Sequence, residues 1–160
     1  MKKAIMYIAA FVGMVMSLTA FTVKPTAPGT GCSAPELSMK TDSSSISLDN
    51  FRGQYLLVSF WSSSEASSRI RCNEYTSAAN QISGLNHIGI NFDASTSLFN
   101  EVVKRDNLMK QAQYHVEGNE AALIKENYHL DRGLHSFLID PQGTIIAVDP
   151  DKVTLNKLLI

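Results

Sequence analysis

The stretch that decides the fold is QYLLVSFW over residues 54–61, followed directly by SSSEASSR over residues 62–69. The first eight residues form a continuous apolar and aromatic run, which is typical of a strand buried on both faces in a sheet covered by helices. A serine followed three residues later by a glutamate is a capping box and marks the start of a helix. Ser62 and Glu65 have this spacing, and Ser64 would serve equally well as the capping residue. The stretch therefore predicts a strand, a turn and a helix.

Strand and helix patterns alternate along the rest of the chain. The helix after the first strand is expected to end near Ser83, and the next one has Leu98, Val102 and Val103 on its apolar face. A turn at residues 141–143, Pro-Gln-Gly, lies between two apolar runs and predicts a β-hairpin. Strands are predicted at 87–92, 111–114, 136–140 and 144–148, and helices at 95–105, 119–128 and 150–160. This order predicts an α/β fold in which helices flank a central mixed β-sheet.

The N-terminal 20 residues have the pattern of an export signal. Lys2 and Lys3 give a basic start, an apolar run follows, and Ala20 provides a small residue at a cleavage position. A retained membrane anchor is the alternative, because the apolar run is close to the length that spans a bilayer. Residues 21–31 form a linker rich in Pro, Gly and Thr, and residues 32–160 form the domain. Either alternative places that domain in the periplasm or cell envelope, with membrane contact only through an uncleaved N-terminal segment.

Composition limits the classes of function. A chain of 160 residues is expected to form one domain, and 44% hydrophobic residues exclude a disordered tail. The net charge of -1 provides no basic patch for nucleic acid. Two cysteines are too few for a four-thiolate zinc site, and no two of the four histidines have the spacing of a metal-binding pair. We therefore expect no metal and no cofactor.

Three segments share motifs with one known family. FWSSSEASSR at 60–69 resembles the active-site segment of exported thioredoxin-like proteins (redoxins) of the TlpA/ResA type, in which Cys-x-x-Cys-Arg opens the helix after Phe-Trp. SAPELSM at 33–39 and ISLDNFRG at 46–53 resemble the family's leading hairpin, and FLIDPQG at 137–143 resembles its Phe-Leu-Ile-Asp-Pro-x-Gly hairpin. The resemblance covers about residues 30–160, and it implies a thioredoxin-like three-layer sandwich.

The chain departs from this family at the residues that carry its chemistry. Glu65 and Ser68 stand at the two cysteine positions, so that the motif becomes Glu65-Ala66-Ser67-Ser68. Leu134 stands where the family has a proline, normally in cis. A carboxylate cannot attack a disulfide, and a serine hydroxyl cannot resolve a mixed disulfide. We therefore expect a protein that has lost the redox reaction and acts as a binding or accessory module.

The resemblance also implies where a protein or peptide partner would bind. Partners of the family dock over a groove formed by the tryptophan, the helix start and the proline loop. In this chain the corresponding binding residues are Trp61, Glu65, Ser68, Arg69, Leu134 and His135.

The two cysteines leave an alternative function open. Cys72 follows Ser68 by four residues and so lies on the same helix face, one turn further in. An oxidoreductase of altered type could use Cys72 or a thiol of the partner. The more favoured interpretation makes Cys72 a small buried residue. A disulfide between Cys32 and Cys72 is a further alternative in an oxidising compartment.

Overall fold

Seven strands and four helices build the structure, a computed structural model that describes residues 27–40 and 45–159. The strands are β1 (Ser38–Lys40), β2 (Ser45–Ser47), β3 (Tyr55–Trp61), β4 (Leu85–Asn91), β5 (Gln113–His115), β6 (Ser136–Ile139) and β7 (Ile145–Val148). The helices are α1 (Ala66–Gln81), α2 (Thr96–Arg105), α3 (Gly118–Asn127) and α4 (Lys152–Leu159). The predicted export signal at 1–20 and most of the linker lie outside the described residues. Within the described ranges, no helix is both long and apolar enough to cross a bilayer.

The central sheet has five strands in the order β5-β4-β3-β6-β7. Strands β3, β4 and β5 are parallel, whereas β6 and β7 are antiparallel to their neighbours. This arrangement confirms the predicted α/β fold with a mixed sheet, including the hairpin of the last two strands. One end of the sheet brings together the carboxyl ends of β3 and β4 and the start of β6. The residues that follow β3 therefore lie between the β4–α2 turn and the loop that enters β6.

Two layers of helix enclose the sheet, because β3 alternates its side chains between both faces. Leu56, Val58 and Phe60 point into a core that includes Leu37 of the region before β1 and Ile124 of α3. The other face of β3 packs on α1, α2 and α4. Its apolar residues lie in two clusters, one with Leu57, Tyr75, Leu138 and Leu155, and one with Trp61, Cys72, Phe99, Val102 and Val103.

The apolar face predicted for α2 is wrong at one position. Leu98 is 40% exposed, and Phe99 is buried together with Val102 and Val103. The helix begins at Thr96, and the Ser95 hydroxyl caps it by accepting a hydrogen bond from the Leu98 amide. Positions 99, 102 and 103 have the spacing of one helix face. When the helix begins at Thr96, this face packs on the core and Leu98 lies on the solvent side.

Two further boundaries differ from the prediction. Residues Lys110–Ala112 form a 3-10 turn, so the short strand starts only at Gln113. The last helix starts at Lys152 instead of Pro150, where the Asp151 carboxylate accepts a hydrogen bond from the Thr154 amide. A carboxylate in this position satisfies an amide that lacks a partner within the helix.

Candidate functional site

The start of α1, residues 65–68, is called here the substituted site. Glu65 is the N-cap residue, but no side chain caps the helix, and the predicted capping box between Ser62 and Glu65 is not formed. The Ser62 hydroxyl instead donates to Asp93 Oδ1 at 2.9 Å. The helix start is held from the inside by Ser68, whose Oγ accepts from the Ser62 amide and donates to the Glu65 carbonyl.

Asp93 organises the turn between β3 and α1 from the neighbouring β4–α2 turn. Its Oδ1 accepts hydrogen bonds from the Ser62 hydroxyl, the Ser63 amide and the Ser63 hydroxyl at 2.8–2.9 Å. Its Oδ2 accepts from Asn91 Nδ2 at 3.0 Å. Burial by itself raises the pKa of Asp93, but the hydrogen bonds from Ser63, Asn91 and Ser62 outweigh it and leave the pKa below its ordinary value. The buried group is therefore a carboxylate that fixes the serine turn.

Trp61 lies in the core, so the prediction that it lines a binding groove is wrong. Its side chain has no exposed area and packs against Phe99, with ring centroids 6.1 Å apart. The indole Nε1 donates to Gln113 Oε1 at 3.0 Å. Because Trp61 is the last residue of the buried strand β3, its position on the inner face follows from the strand alternation.

The other predicted binding residues divide into buried and surface groups. Ser68 is 1% exposed, and its hydroxyl is fully used in the helix start. Arg69 forms a bidentate ion pair with Asp106, and this guanidinium holds the pKa of the Asp106 carboxyl below its ordinary value. Glu65 is partly exposed and accepts a hydrogen bond from the Ser67 hydroxyl. Of these residues, Glu65 presents a charge that a partner can reach.

The loop that enters β6 is held by two residues that sequence reasoning missed. Arg71 donates through Nη2 to the Leu134 carbonyl, and its Nε lies 3.4 Å from Asp149 Oδ1. Asp149 also accepts from the Ser136 amide at 2.8 Å, and its Oδ2 lies 2.7 Å from His135 Nδ1. Leu134 is buried by this arrangement, whereas His135 remains partly exposed. No sequence motif marks Arg71, since its partners are distant in the chain.

No protein-family model matches the chain, and no curated protein matches it in sequence. A thioredoxin-like protein from Parabacteroides distasonis superposes with a TM-score of 0.72 at 28% identity, covering 83% of this chain and 96% of that one. The chain therefore has a thioredoxin-like fold, and this likeness supports its resemblance to the TlpA/ResA-like family.

Further solved structures have the same fold at lower identity. The thioredoxin domain of a thiol-disulfide oxidoreductase from Bacteroides vulgatus gives a TM-score of 0.70 at 23% identity, covering 84% of this chain and 100% of that one. A secreted thiol-disulfide isomerase from Corynebacterium glutamicum gives 0.60 at 18% identity, covering 79% and 80%. The chain therefore has structural neighbours that are thiol-disulfide oxidoreductases, while its own two cysteines are not adjacent in sequence.

Both cysteines of the chain are free in the structure, so the disulfide alternative is wrong. Cys32 is exposed, and its carbonyl accepts from the Ile145 amide, which places it beside the edge strand β7. Cys72 has no exposed area, and its thiol contacts Gln113 of β5, the opposite edge strand. Burial raises the pKa of the Cys72 thiol to about 12. The two sulfurs are therefore held at different edges of the sheet.

Across residues 27–40 and 45–159, no three His, Cys, Asp or Glu side chains are grouped so as to hold a metal ion. His115 is occupied by contacts with the Asp93 carbonyl and the Thr96 hydroxyl. The start of α1 therefore presents the partly exposed Glu65 carboxylate, surrounded by serine hydroxyls.

Proposed function

We propose that the chain is an exported thioredoxin-like module that has lost thiol-disulfide exchange and acts by noncovalent binding, as an accessory to other proteins. The observation that carries this proposal is the pair of side chains at the start of α1. Glu65 and Ser68 occupy the two positions where TlpA/ResA-like proteins have cysteines, and neither can form a mixed disulfide.

The remaining cysteines do not supply the missing chemistry. Thiol-disulfide exchange requires an accessible thiolate. A thiol with a pKa of about 12 is ionised in only about one molecule in 100,000 at pH 7, and Cys72 is also fully buried. Cys32 is accessible but lies beside β7, away from the start of α1. These facts disfavour the alternative that an altered oxidoreductase uses Cys72.

Export is supported by two observations. The first 20 residues combine a basic start with an apolar run and a small residue at position 20. One structural neighbour, from Corynebacterium glutamicum, is a secreted protein. N-terminal sequencing of the protein from its native host tests this part: a chain that begins after Ala20, or one that is extracted only with membranes, is expected. A soluble cytoplasmic protein that still begins at Met1 would contradict it.

An insulin-reduction assay with dithiothreitol tests the loss of exchange. The protein is expected to give the background rate, and the double variant Cys32→Ser, Cys72→Ser is expected to give the same rate. The double variant Glu65→Cys, Ser68→Cys is the matched control, because it returns both thiols to the helix start, where the unpaired amides favour a thiolate. Turnover by the wild-type protein that disappears with Cys72→Ser would refute the proposal.

The binding part of the proposal depends on the surface around Glu65. Trp61 is buried, so it offers no anchor, and Trp61→Ala is expected to lower the melting temperature. Three of the predicted binding residues have polar side chains that reach the surface. Arg69 is paired with Asp106, which leaves Glu65 and His135, and the His135 ring lies beside Asp149. A partner would meet these groups through side-chain contacts.

A further inference from the structure

A groove of about 810 Å³ runs along α1 from the substituted site to α4. Ala66 and Ile70 form its upper rim on α1, and residues 150–152 form the opposite rim before α4. Its floor includes Tyr75 and Leu155, which belong to the core on this face of the sheet. The groove therefore begins one residue after Glu65 and continues the surface that the proposed function assigns to a partner.

Ile70 supplies an apolar contact at the rim of this groove. It is 59% exposed, and the buried residues of the same helix, Ser68, Cys72 and Tyr75, lie on the face turned to the sheet. A single exposed aliphatic residue is ordinary on a protein surface. Its place beside a cavity with an apolar floor is what makes it suited to hold an inserted aliphatic side chain.

The charged residues of the groove have an acidic excess. Arg69 and Asp106 form an ion pair, and Arg105, which does not line the groove, also lies 3.6 Å from Asp106. Glu74 and Asp151 line the groove, are exposed, and form no ion pair within the described residues, although the Asp151 carboxylate accepts a hydrogen bond from the Thr154 amide. Glu65 lies just beyond the end of the groove, is partly exposed and forms no ion pair within those residues. Lys152 is the single lining cation that is unpaired within those residues. Two carboxylates without an ion pair against one ammonium group, with Glu65 just beyond the groove, complement a basic partner.

The neighbouring loop does not offer an edge for an extended peptide. A peptide that adds as a strand needs free backbone donors and acceptors. The Leu134 carbonyl is taken by Arg71, the His135 carbonyl by the Phe60 amide, and the Ser136 amide by Asp149. Recognition through side chains in the groove is therefore favoured over strand addition at the loop.

We propose that the groove between α1 and α4 docks a basic segment of a partner protein that inserts an aliphatic side chain beside Ile70. The proposal rests on the proposed binding function and names the partner's chemistry for it. Positively charged side chains of that segment lie against Glu74, Asp151 and Glu65, and the interaction weakens as salt concentration rises.

A synthetic helical peptide of leucine and lysine, about 14 residues long, tests the docking surface, and a leucine–glutamate peptide of equal length serves as the charge control. Amide chemical shifts are recorded by NMR during titration of the whole domain. The basic peptide is expected to shift amides of residues 66–81 and 150–155, and the acidic peptide is expected not to bind. Binding by the acidic peptide, or failure of the basic peptide to bind, would overturn the proposal.

Two aliphatic residues of equal exposure provide the matched variants. Ile70 and Leu123 are both 59% exposed, but Leu123 lies on α3, on the other face of the sheet. Ile70→Ser is expected to weaken binding of the basic peptide about tenfold, and Leu123→Ser less than twofold. Glu74→Lys should weaken it about threefold, as one exposed charge contributes little. Equal effects of the two serine variants would refute the groove as the docking site.

The map of shifted amides also separates this inference from the proposed function. Shifts confined to residues 64–67 and 133–136 would refute the groove and leave a binding module intact. Insulin reduction by the wild-type protein would refute the proposed function, whatever the peptide does.

Discussion

At the start of α1, the Ser68 side chain pairs with two backbone groups. Ser68 Oγ accepts from the Ser62 amide at 3.3 Å and donates to the Glu65 carbonyl at 3.0 Å. A hydroxyl serves as both donor and acceptor, whereas a thiol does each weakly. Ser68 therefore has a structural role in closing the turn, and Glu65 is left to face the solvent.

Replacing Asp93 by asparagine should destabilise the protein. The asparagine amide would bring N–H donors toward the Ser63 amide or Asn91 Nδ2, groups that now donate to a carboxylate. We expect a loss of about 1.5–3 kcal/mol in the free energy of unfolding, measured by urea titration at pH 7. Asp131→Asn, at an exposed carboxylate, is the control and should change it by less than about 0.5 kcal/mol. Similar losses for both variants would contradict the role of Asp93.

His87 should make the stability of the protein depend on pH. Burial lowers its pKa to about 3, and its ring nitrogens contact the Ser59 and Thr76 hydroxyls. The unfolded chain takes up a proton below about pH 6.5, while the folded chain does not until about pH 3. The contribution of His87 to the free energy of unfolding is therefore fully present above pH 6.5. Between pH 6.5 and about pH 3 it decreases by about 1.4 kcal/mol for each unit that the pH falls.

Urea titrations at several pH values between 7 and 4 measure that slope. His87→Asn removes the titrating ring, so its free energy of unfolding should fall less steeply with decreasing pH, even if it is lower at pH 7. Parallel curves for the wild type and the variant would show that His87 is not held neutral in the folded state.

Individual side chains were the part of the site least accessible from sequence. The motif put Glu65 and Ser68 at the start of a helix and Leu134 in the loop before a strand, which is where they lie, because motif spacing is a local property. It did not show that Trp61 turns inward, although the alternation along β3 contains that information. Arg71 and Asp149 are 78 residues apart in the chain, so no local pattern links them.

At the scale of the elements, burial periodicity explains both what was predicted and what was missed. The bounds of strand β3 were predicted within one residue, since a continuous apolar run marks where the strand begins and ends. In α2, Leu98 and Phe99 are adjacent, and the choice between them depends on where the helix starts. The Ser95 cap fixes that start, and the sequence offered several polar residues there. Helix ends are set by caps that pattern reading locates to within a few residues.

Strand pairing of β4 and β5 depends on a glycine. A Cβ atom at Gly89 would lie 2.1 Å from Gln113 Oε1, the oxygen that accepts from Trp61 and Cys72. Gly89→Ala should therefore lower the free energy of unfolding by about 1–3 kcal/mol. Gly29→Ala is the control, because nothing lies within 4 Å of its Cβ position.

A double variant identifies the cause of that loss. If the clash with Gln113 is responsible, the double variant Gly89→Ala, Gln113→Ala should lose less free energy of unfolding than the sum of the losses of the two single variants. Additive costs in the same urea titrations would place the strain elsewhere in β4.

For the molecule as a whole, strand order decides what the cysteines can do. Cys32 lies beside β7, and Cys72 lies on the buried face of α1 near β5; β7 and β5 are the two edge strands of the sheet. The sequence predicted the sheet and its helices, yet the separation of these two thiols depends on strand order. Strand order arises from long-range pairing, which no local pattern in the chain specifies.

Thiol labelling should report this separation. An aromatic disulfide reagent is expected to modify Cys32 within minutes in the native protein and to leave Cys72 unmodified. Cys72 should react only as the molecule opens, so its labelling rate should rise with urea in parallel with unfolding. Cys32→Ser should remove the fast phase and keep the slow one. Two fast phases in the native wild type would contradict the burial of Cys72.

The burial of Cys72 also determines how the surface at the start of α1 responds to oxidants. The groups around Glu65 and Ser67 are hydroxyls and a carboxylate, which peroxide and hypochlorite leave unchanged, and the sulfur beneath them has no exposed area. The exposed groups at the start of α1 would therefore keep their chemical form under oxidants that convert paired thiols to disulfides or sulfonates.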